Sequence, residues 1–287
     1  MGISLCMIVK NEEDCVEGAV QSVRSIVNEV IIVDAGSTDA TLERIQALGV
    51  KSFKILWKDS FAEARNASLA QATQPWILVL DADERITSKD LPLILDRTSR
   101  SAADGYQLIQ RNYVFGNQIL GWVPNGGDYE EGANYSGYVD NPLIRLFRNS
   151  PEIRFDGAVH EIIDPTRLSS RWKFENIPAV IHHYGKVRGE ERVQAKQRFY
   201  LTLGLKRIEE EPANGKAYFE WIDIFEAMPV RTGHRRWSEP LSLLQKTHDY
   251  LRKGNVSAAT RVLAALEQSP FLENEVRVVK GQISTWM

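Results

Sequence analysis

Between residues 3 and 95 the chain alternates short, largely apolar runs with amphipathic segments, and that alternation restricts the fold more than any single motif does. A run that is apolar at every position buries both its faces, as a strand does in a sheet covered on each side. The segments between the runs repeat their apolar residues at helical spacing. The class expected is therefore α/β, with a mostly parallel sheet and helices on both faces.

The units follow from their punctuation. Residues 3–9 predict a strand, followed by Asn11 as a helix cap with Glu12, Glu13 and Asp14 in the positive first turn, and Val16, Val20, Val23 and Val27 at helical spacing. Residues 30–33 predict a second strand, Gly36-Ser37-Thr38-Asp39 a turn and cap, and residues 41–48 a helix stopped by Gly49. A third strand over 50–57, an alanine-rich helix over 61–72, a fourth strand over 75–80 and a helix carrying Leu91, Ile94 and Leu95 continue the pattern. After a strand over 106–111 it dissolves into a segment rich in Gly, Asn and Tyr over 112–141, a kind of segment that in compact domains is more often functional than idle. Strands return over 143–147 and 179–182, and residues 188–286 read as helices. The expectation is an α/β domain over 1–187 and an all-α region over 188–287. In that region Gly254, Ala259 and Leu263 follow half of a tetratricopeptide spacing.

Charge excludes one class of partner. The formal net charge of −3 comes from 38 acidic and 35 basic residues spread along the chain, so no basic field exists to hold nucleic acid. The basic cluster at 231–236, next to Trp237, reads as a solvated loop, and any membrane contact is expected to be peripheral, since no run reaches the roughly 18 apolar residues of a spanning helix. Cys6 and Cys15 have no metal-knuckle or C-x-x-C spacing, which suits a reduced, cytoplasmic setting, with peripheral contact at the inner membrane face. The sequence carries no signal for oligomeric state.

In open parallel sheets, ligands bind beyond the carboxyl ends of the strands, and the polar clusters fall at those ends. The first strand ends in Asn11 and Glu12, the second in Asp34, the fourth in Asp81-Ala82-Asp83. Residues two apart on an extended chain point the same way, so Asp81 and Asp83 can face one hard cation, Mn²⁺ or Mg²⁺. Asp-x-Asp also caps helices. Asp34 can either accept hydrogen bonds from a nucleobase or ribose, or orient its own turn through Ser37 and Thr38. Arg65 on the alanine-rich helix can pair with phosphate or with a surface carboxylate. His183 can be a third metal ligand or a diphosphate donor, whereas His182, alternating with it, points to the core.

The runs "ISLCMIVKNEE", "EVIIVDAGSTDAT", "FAEARNASLAQA" and "WILVLDADE", followed in order by "RLFRN", "RFDGAVHE" and "IHHYG", resemble the inverting family-2 glycosyltransferases of GT-A fold, in particular a bacterial branch. The resemblance implies a nucleotide-sugar donor and a sugar, lipid-linked or protein acceptor. It also implies a nucleotide pocket containing Asn11, Glu12 and Asp34, Asp81 on the ribose or metal side, and Asp83 on the metal. Ala35 departs from the Thr or Asp of many relatives, which bears on the usual uridine carrier. Inversion needs a base for the acceptor's proton. Glu161, in the family-like "VHE" segment, is the choice, with Asp128, Glu130, Glu131, Asp140 and Asp156 as the other acids of that half. A nucleotidyltransferase would need a Gly-rich loop after the first strand, where this chain has "VKNEEDC". A nucleotide-sugar-binding module without turnover is the remaining alternative.

Overall fold

The computed structural model describes residues 2–100, 103–116, 121–159 and 161–210, and the chain divides into two compact units, Met1–Val193 and Gln194–Met287. The tetratricopeptide-like spacing and the basic cluster lie outside the described residues, as does His160. In the first unit the strands are β1 (Ile3–Val9), β2 (Glu29–Asp34), β3 (Lys51–Lys54), β4 (Trp76–Val79), β5 (Glu84–Ile86), β6 (Gly105–Val114), β7 (Val123–Pro124), β8 (Gly137–Arg148) and β9 (Phe174–His183). The helices are α1 (Val16–Val23), α2 (Thr41–Ala47), α3 (Phe61–Leu69) and α4 (Leu91–Arg100), and α5 (Glu190–Glu210) begins after Gly189, whose φ is +98°. Among the described residues no helix is long and apolar enough to cross a membrane.

The strands form one sheet in the order β3-β2-β1-β4-β8-β6-β9-β5, with β7 on β8. It is mixed rather than mostly parallel. The pairs β1–β2, β1–β4, β2–β3 and β6–β9 are parallel, whereas β4–β8, β6–β8, β5–β9 and β7–β8 are antiparallel. The cause is the segment expected to be irregular over 112–141. Its two ends extend β6 and β8, which pair as a long antiparallel ribbon from Gly105–Phe147 to Val114–Gly137, and the described residues between them include β7 and a 3₁₀ turn over Glu130–Gly132.

The apolar runs are continuous because the sheet has a core on each face. Alternation divides each strand between them: Ile3, Leu5, Met7 and Val9 of β1, Val30 and Ile32 of β2, and Trp76 and Leu78 of β4 join Val16, Val20 and Val23 of α1 and Ile94 of α4 on one face. Cys6, Ile31, Ile77 and Val79 face the other way, onto Ala62 and Leu69 of α3 and onto Phe147, Phe155 and Ile163. All four residues of edge strand β3 are exposed, and Lys51 and Lys54 guard that edge.

Two local expectations are corrected. Asn11 is not the cap of α1: it takes a left-handed φ of 56°, which Asn tolerates, the chain turns with the N–H groups of Cys15 and Val16 donating to Glu12 O, and α1 starts at Val16. Nor do Asp81 and Asp83 lie on an extended strand, since β4 stops at Val79 and Glu84 N donates to Asp81 O at 3.0 Å, closing a turn.

Candidate active site

The loops after β1 and β2 are laced together. Asn11 N donates to Ser37 Oγ at 3.0 Å, Thr38 N donates to Asn11 Oδ1 at 2.8 Å, and Glu12 N donates to Thr41 Oγ1 at 2.7 Å. Asp34 is 1% exposed and accepts from Ser37 N at 3.0 Å and Gly36 N at 3.3 Å, so its carboxylate shapes the turn that carries Ser37 and Thr38. Asp39 likewise accepts from Thr41 N at 3.0 Å, as a cap does.

At the end of β4, guanidinium and carboxylate groups alternate. Arg65 of α3, 5% exposed, reaches Asp81 Oδ1 at 2.7 Å through Nη1 and Glu161 Oε1 at 2.5 Å through Nε. Burial works against the charge of Arg65, but Asp81 and Glu161 outweigh it and hold the guanidinium above its ordinary range. The arginine that pairs with Glu161 is thus Arg65. Arg145 of β8 instead reaches Asp81 Oδ2 and Glu84 Oε1, each at 3.2 Å. Glu84 is wholly buried, accepts from Asp81 N at 2.8 Å and from Gln110 Nε2 at 2.5 Å, and so fixes the backbone on which Asp81 sits.

Asp83 and His183 meet because β5 and β9 pair in a register that opposes Glu84 to His183, with Tyr184 N donating to Asp83 O at 3.1 Å. His183 Nε2 lies 3.5 Å from Asp83 Oδ2. Its Nδ1 lies 2.6 Å from Asn112 Oδ1, and the Asn112 amide nitrogen donates to Gln110 O and Val139 O. That orientation makes Asn112 Oδ1 an acceptor, places a proton on Nδ1 and leaves Nε2 facing Asp83. His182 faces the interior: wholly buried and bonded at 2.7 Å to the Tyr113 hydroxyl, it is pushed down to about 4 by burial, with Arg111 and Lys89 adding to the effect.

A third arginine closes the ring. Arg188 pairs with Glu12 and stands 3.9 Å from Asp83 Oδ2, while Arg192 reaches Glu12 Oε2 at 3.0 Å. Burial raises the Glu12 carboxyl, and Arg188 opposes that shift. Arg145 Nη1 and Arg188 Nη2 are buried with no hydrogen-bond acceptor among the described residues, so each leaves a donor unsatisfied at this rim.

The structure thus gathers Arg65, Asp81 and Glu161 into one cluster and Glu12, Asp83 and His183 into another around Arg188, while Asn11 and Asp34 build the neighbouring loops. Of the expected metal set, Asp83 and His183 approach each other and Asp81 is turned to arginines; among the described residues no group of three His, Cys, Asp or Glu could hold an ion. Among the other acids, Asp140 forms a two-pronged pair with Arg111 at 2.9 and 2.8 Å, Asp156 pairs with Arg167 on the surface, and Glu130 and Glu131 line a cleft with Asp83. Sequence reasoning missed Glu84 and Arg188 as parts of the rim. Glu84 stood inside the quoted "LDADE", whereas Arg188 sits at the expected domain change and had no local signal.

The family model described as "Glycosyl transferase family 2" matches residues 4–184. A TPR repeat-containing protein of Synechococcus elongatus is 36% identical over 202 residues, covering 68% of this chain and 44% of that protein. The glycosyltransferase SunS of Bacillus phage SPbeta is 27% identical over 259 residues, covering 88% of this chain and 52% of that protein. The chain therefore spans about half the length of these curated relatives. Among solved structures, S. aureus TarS 1-349 in complex with UDP-GlcNAc aligns with a TM-score of 0.47 and 14% identity, over 100% of this chain and 90% of that one. The sheet with helices on both faces has the GT-A architecture, and with residues 4–184 matched the chain belongs to glycosyl transferase family 2.

Proposed function

We propose that the chain transfers a sugar, with inversion, from a nucleotide diphosphate donor, a UDP-sugar first, to a hydroxyl or thiol of a glycan, lipid-linked or protein acceptor. The observation that carries this reading is the rim itself. Among the described residues, Arg145 and Arg188 keep buried N–H groups without acceptors beside Asp81, Asp83 and Glu12, a setting in which a diphosphate would supply acceptor oxygens.

A divalent cation would find two of its ligands in the same place. Asp83 and His183 offer an oxygen and a ring nitrogen 3.5 Å apart, and the second ring nitrogen is held by Asn112, as metal-binding imidazoles require. Asp83 and His183 would hold Mn²⁺ or Mg²⁺, with Asp81 toward the ribose or the ion. When bound, such an ion neutralises charge on the departing diphosphate.

The chain's own residues do the rest. Asn11, Glu12 and the loop shaped by Asp34 receive the nucleoside. Glu161 takes the acceptor's proton as the acceptor atom bonds to the anomeric carbon and the bond from that carbon to the phosphate oxygen breaks, with both electrons leaving on the nucleotide diphosphate. Arg65, bonded to Glu161 and Asp81 at once, sets the distance between the proton-accepting side and the leaving-group side. Arginine donors and buried aromatic walls limit water.

The test is transfer from a panel of UDP-sugars to mixed acceptors, with the anomeric configuration of the product read by NMR. Inverted product supports the reading. Retained configuration refutes the single displacement, and donor binding without transfer to any acceptor leaves a nucleotide-sugar-binding module. In Glu161→Gln transfer falls by about 10²–10⁴-fold with donor affinity kept; unchanged transfer moves the base to another acid, Asp156, Glu130 or Glu131.

A further inference from the structure

A cleft of about 440 Å³ has Asp83 and Arg188 on its lining together with Glu130, Glu131, Tyr135 and Tyr184. Its size is that of small-ligand sites, about 300–1,000 Å³. None of the last four residues has a part in the donor-side chemistry above, yet they share a wall with Asp83.

The aromatic part of this wall is built from the interior outward. Tyr113 of β6 is 1% exposed and is pinned by its 2.7 Å hydrogen bond to His182. Tyr135 stacks on Tyr113 with centroids 4.9 Å apart and planes at 26°, and Tyr184 lies against Tyr113 at 5.6 Å and 31°. Phe115, 67% exposed, meets Tyr135 edge-on at 5.5 Å and carries the aromatic surface out to solvent. The facing segment is anchored as firmly: Tyr129 OH donates to Asp90 Oδ1 at 3.2 Å, Asn125 Nδ2 donates to Gly132 O at 2.5 Å, and Glu130–Gly132 forms a 3₁₀ turn. Rigid rings beside carboxylates form a preorganised surface.

We propose, on the footing of the transferase reading, that this cleft is the acceptor site and that the acceptor is a neutral saccharide. One of its rings lies against Tyr135 and Tyr184, with its hydroxyls bonded to Glu130 and Glu131. Pyranose rings have apolar C–H faces that lie on aromatic rings, and hydroxyl edges that donate to carboxylates. Arg85 and Arg188 line the same cleft, Arg85 lying over the Tyr184 ring at 5.6 Å, so these guanidiniums balance Glu130 and Glu131 and give no surplus positive charge to select a phosphate-bearing acceptor, while a lipid tail would desolvate all four charged groups. The exposed Phe115 suits a chain of more than one sugar that continues outward from the cleft.

The experiment applies the intact chain, with saturating UDP and Mn²⁺, to an array of neutral, acidic and phosphorylated oligosaccharides and thiol-bearing peptides, and follows the best binder by calorimetry. A neutral glycan is expected to bind, with Tyr135→Leu weakening it about tenfold and Phe115→Ser by less. The melting shift given by UDP with Mn²⁺ should stay at its wild-type size in both variants. Glu131→Gln, also expected to weaken the glycan, stands in if Tyr135→Leu loses its cooperative melt. The proposal is overturned if only phosphorylated glycans or peptides bind, if the variants bind the glycan as wild type does, or if Tyr135→Leu weakens a UDP-sugar relative to UDP. That last result would give the wall to the donor's own sugar. Absence of any UDP shift in the wild-type chain sinks the transferase reading itself, and is thereby distinct from loss of glycan binding alone.

Discussion

Arg65 illustrates how much of the rim depends on one side chain. Its guanidinium bonds Asp81 and Glu161 at once, from a position only 5% exposed. A lysine keeps the charge but presents a point rather than a fork. Arg65→Lys is therefore expected to lower kcat/KM by about 10–100-fold, the loss of one charged hydrogen bond, with the larger share in kcat because Glu161 loses its tether; wild-type kinetics in this variant would remove Arg65 from the site. At this scale the sequence was informative where polar groups sit at strand ends: Arg65, Asp81 and Glu161 meet in one cluster and Asp83 meets His183 in another, although the sequence reasoning placed the two aspartates on an extended strand and the structure places them on a turn. Arg145 and Glu84 could not be paired from the sequence, because they stand 61 positions apart and their bond depends on how β8 is threaded beside β4.

Among the elements, the strands whose both faces are buried were legible, since the apolar run is itself the signal: β1 matches the expected 3–9, and β2 and β4 differ from expectation only at their ends. The short strand β5 was not, because Glu-Arg-Ile is too brief and too charged to signal, and it exists through its pairing with β9. That pairing brings Asp83 to His183, so an element invisible in the sequence positions half of the proposed cation site. The opposite end of the sheet has its own polar staple. Glu29 accepts from Ser4 Oγ at 2.5 Å, Lys51 Nζ at 2.5 Å and Thr73 N at 2.8 Å. Burial pushes this carboxyl up, but the bonds from Lys51, Ser4 and Thr73 prevail and bring it down to about 2 from an ordinary 4.5. A folded value below the unfolded one stabilises the fold above the unfolded value and loses that contribution as pH falls through the folded one. Because Lys51 is itself 55% exposed, the contribution is discounted for solvent screening to about 2 kcal/mol. Glu29→Gln should lower urea stability by that amount at pH 7, and the gap to wild type should narrow between pH 4.5 and about 2; a gap independent of pH would mean that the bonds to Ser4 and Thr73, rather than the charge, do the work.

For the molecule as a whole, family membership and the covered sheet agree, and the rim organises them: parallel strands on one side of β4 bring in the loops proposed to receive a nucleoside, and the antiparallel ribbon of β6 and β8 on the other supports the aromatic cleft. The interlaced loops after β1 and β2 were readable because they follow their strands in sequence order. The cleft half was not, since Tyr113, Tyr135 and Tyr184 come together only through that ribbon and β9. The central claim is that Asp83 and the arginines around it receive a cation-bound diphosphate. Titration of UDP into the intact chain by calorimetry, with and without Mn²⁺, measures this directly in wild type and Asp83→Asn. Mn²⁺ is expected to tighten UDP binding at least about tenfold in wild type and not in the variant; Mn²⁺-enhanced affinity that survives Asp83→Asn undiminished would take the cation-bound diphosphate away from Asp83.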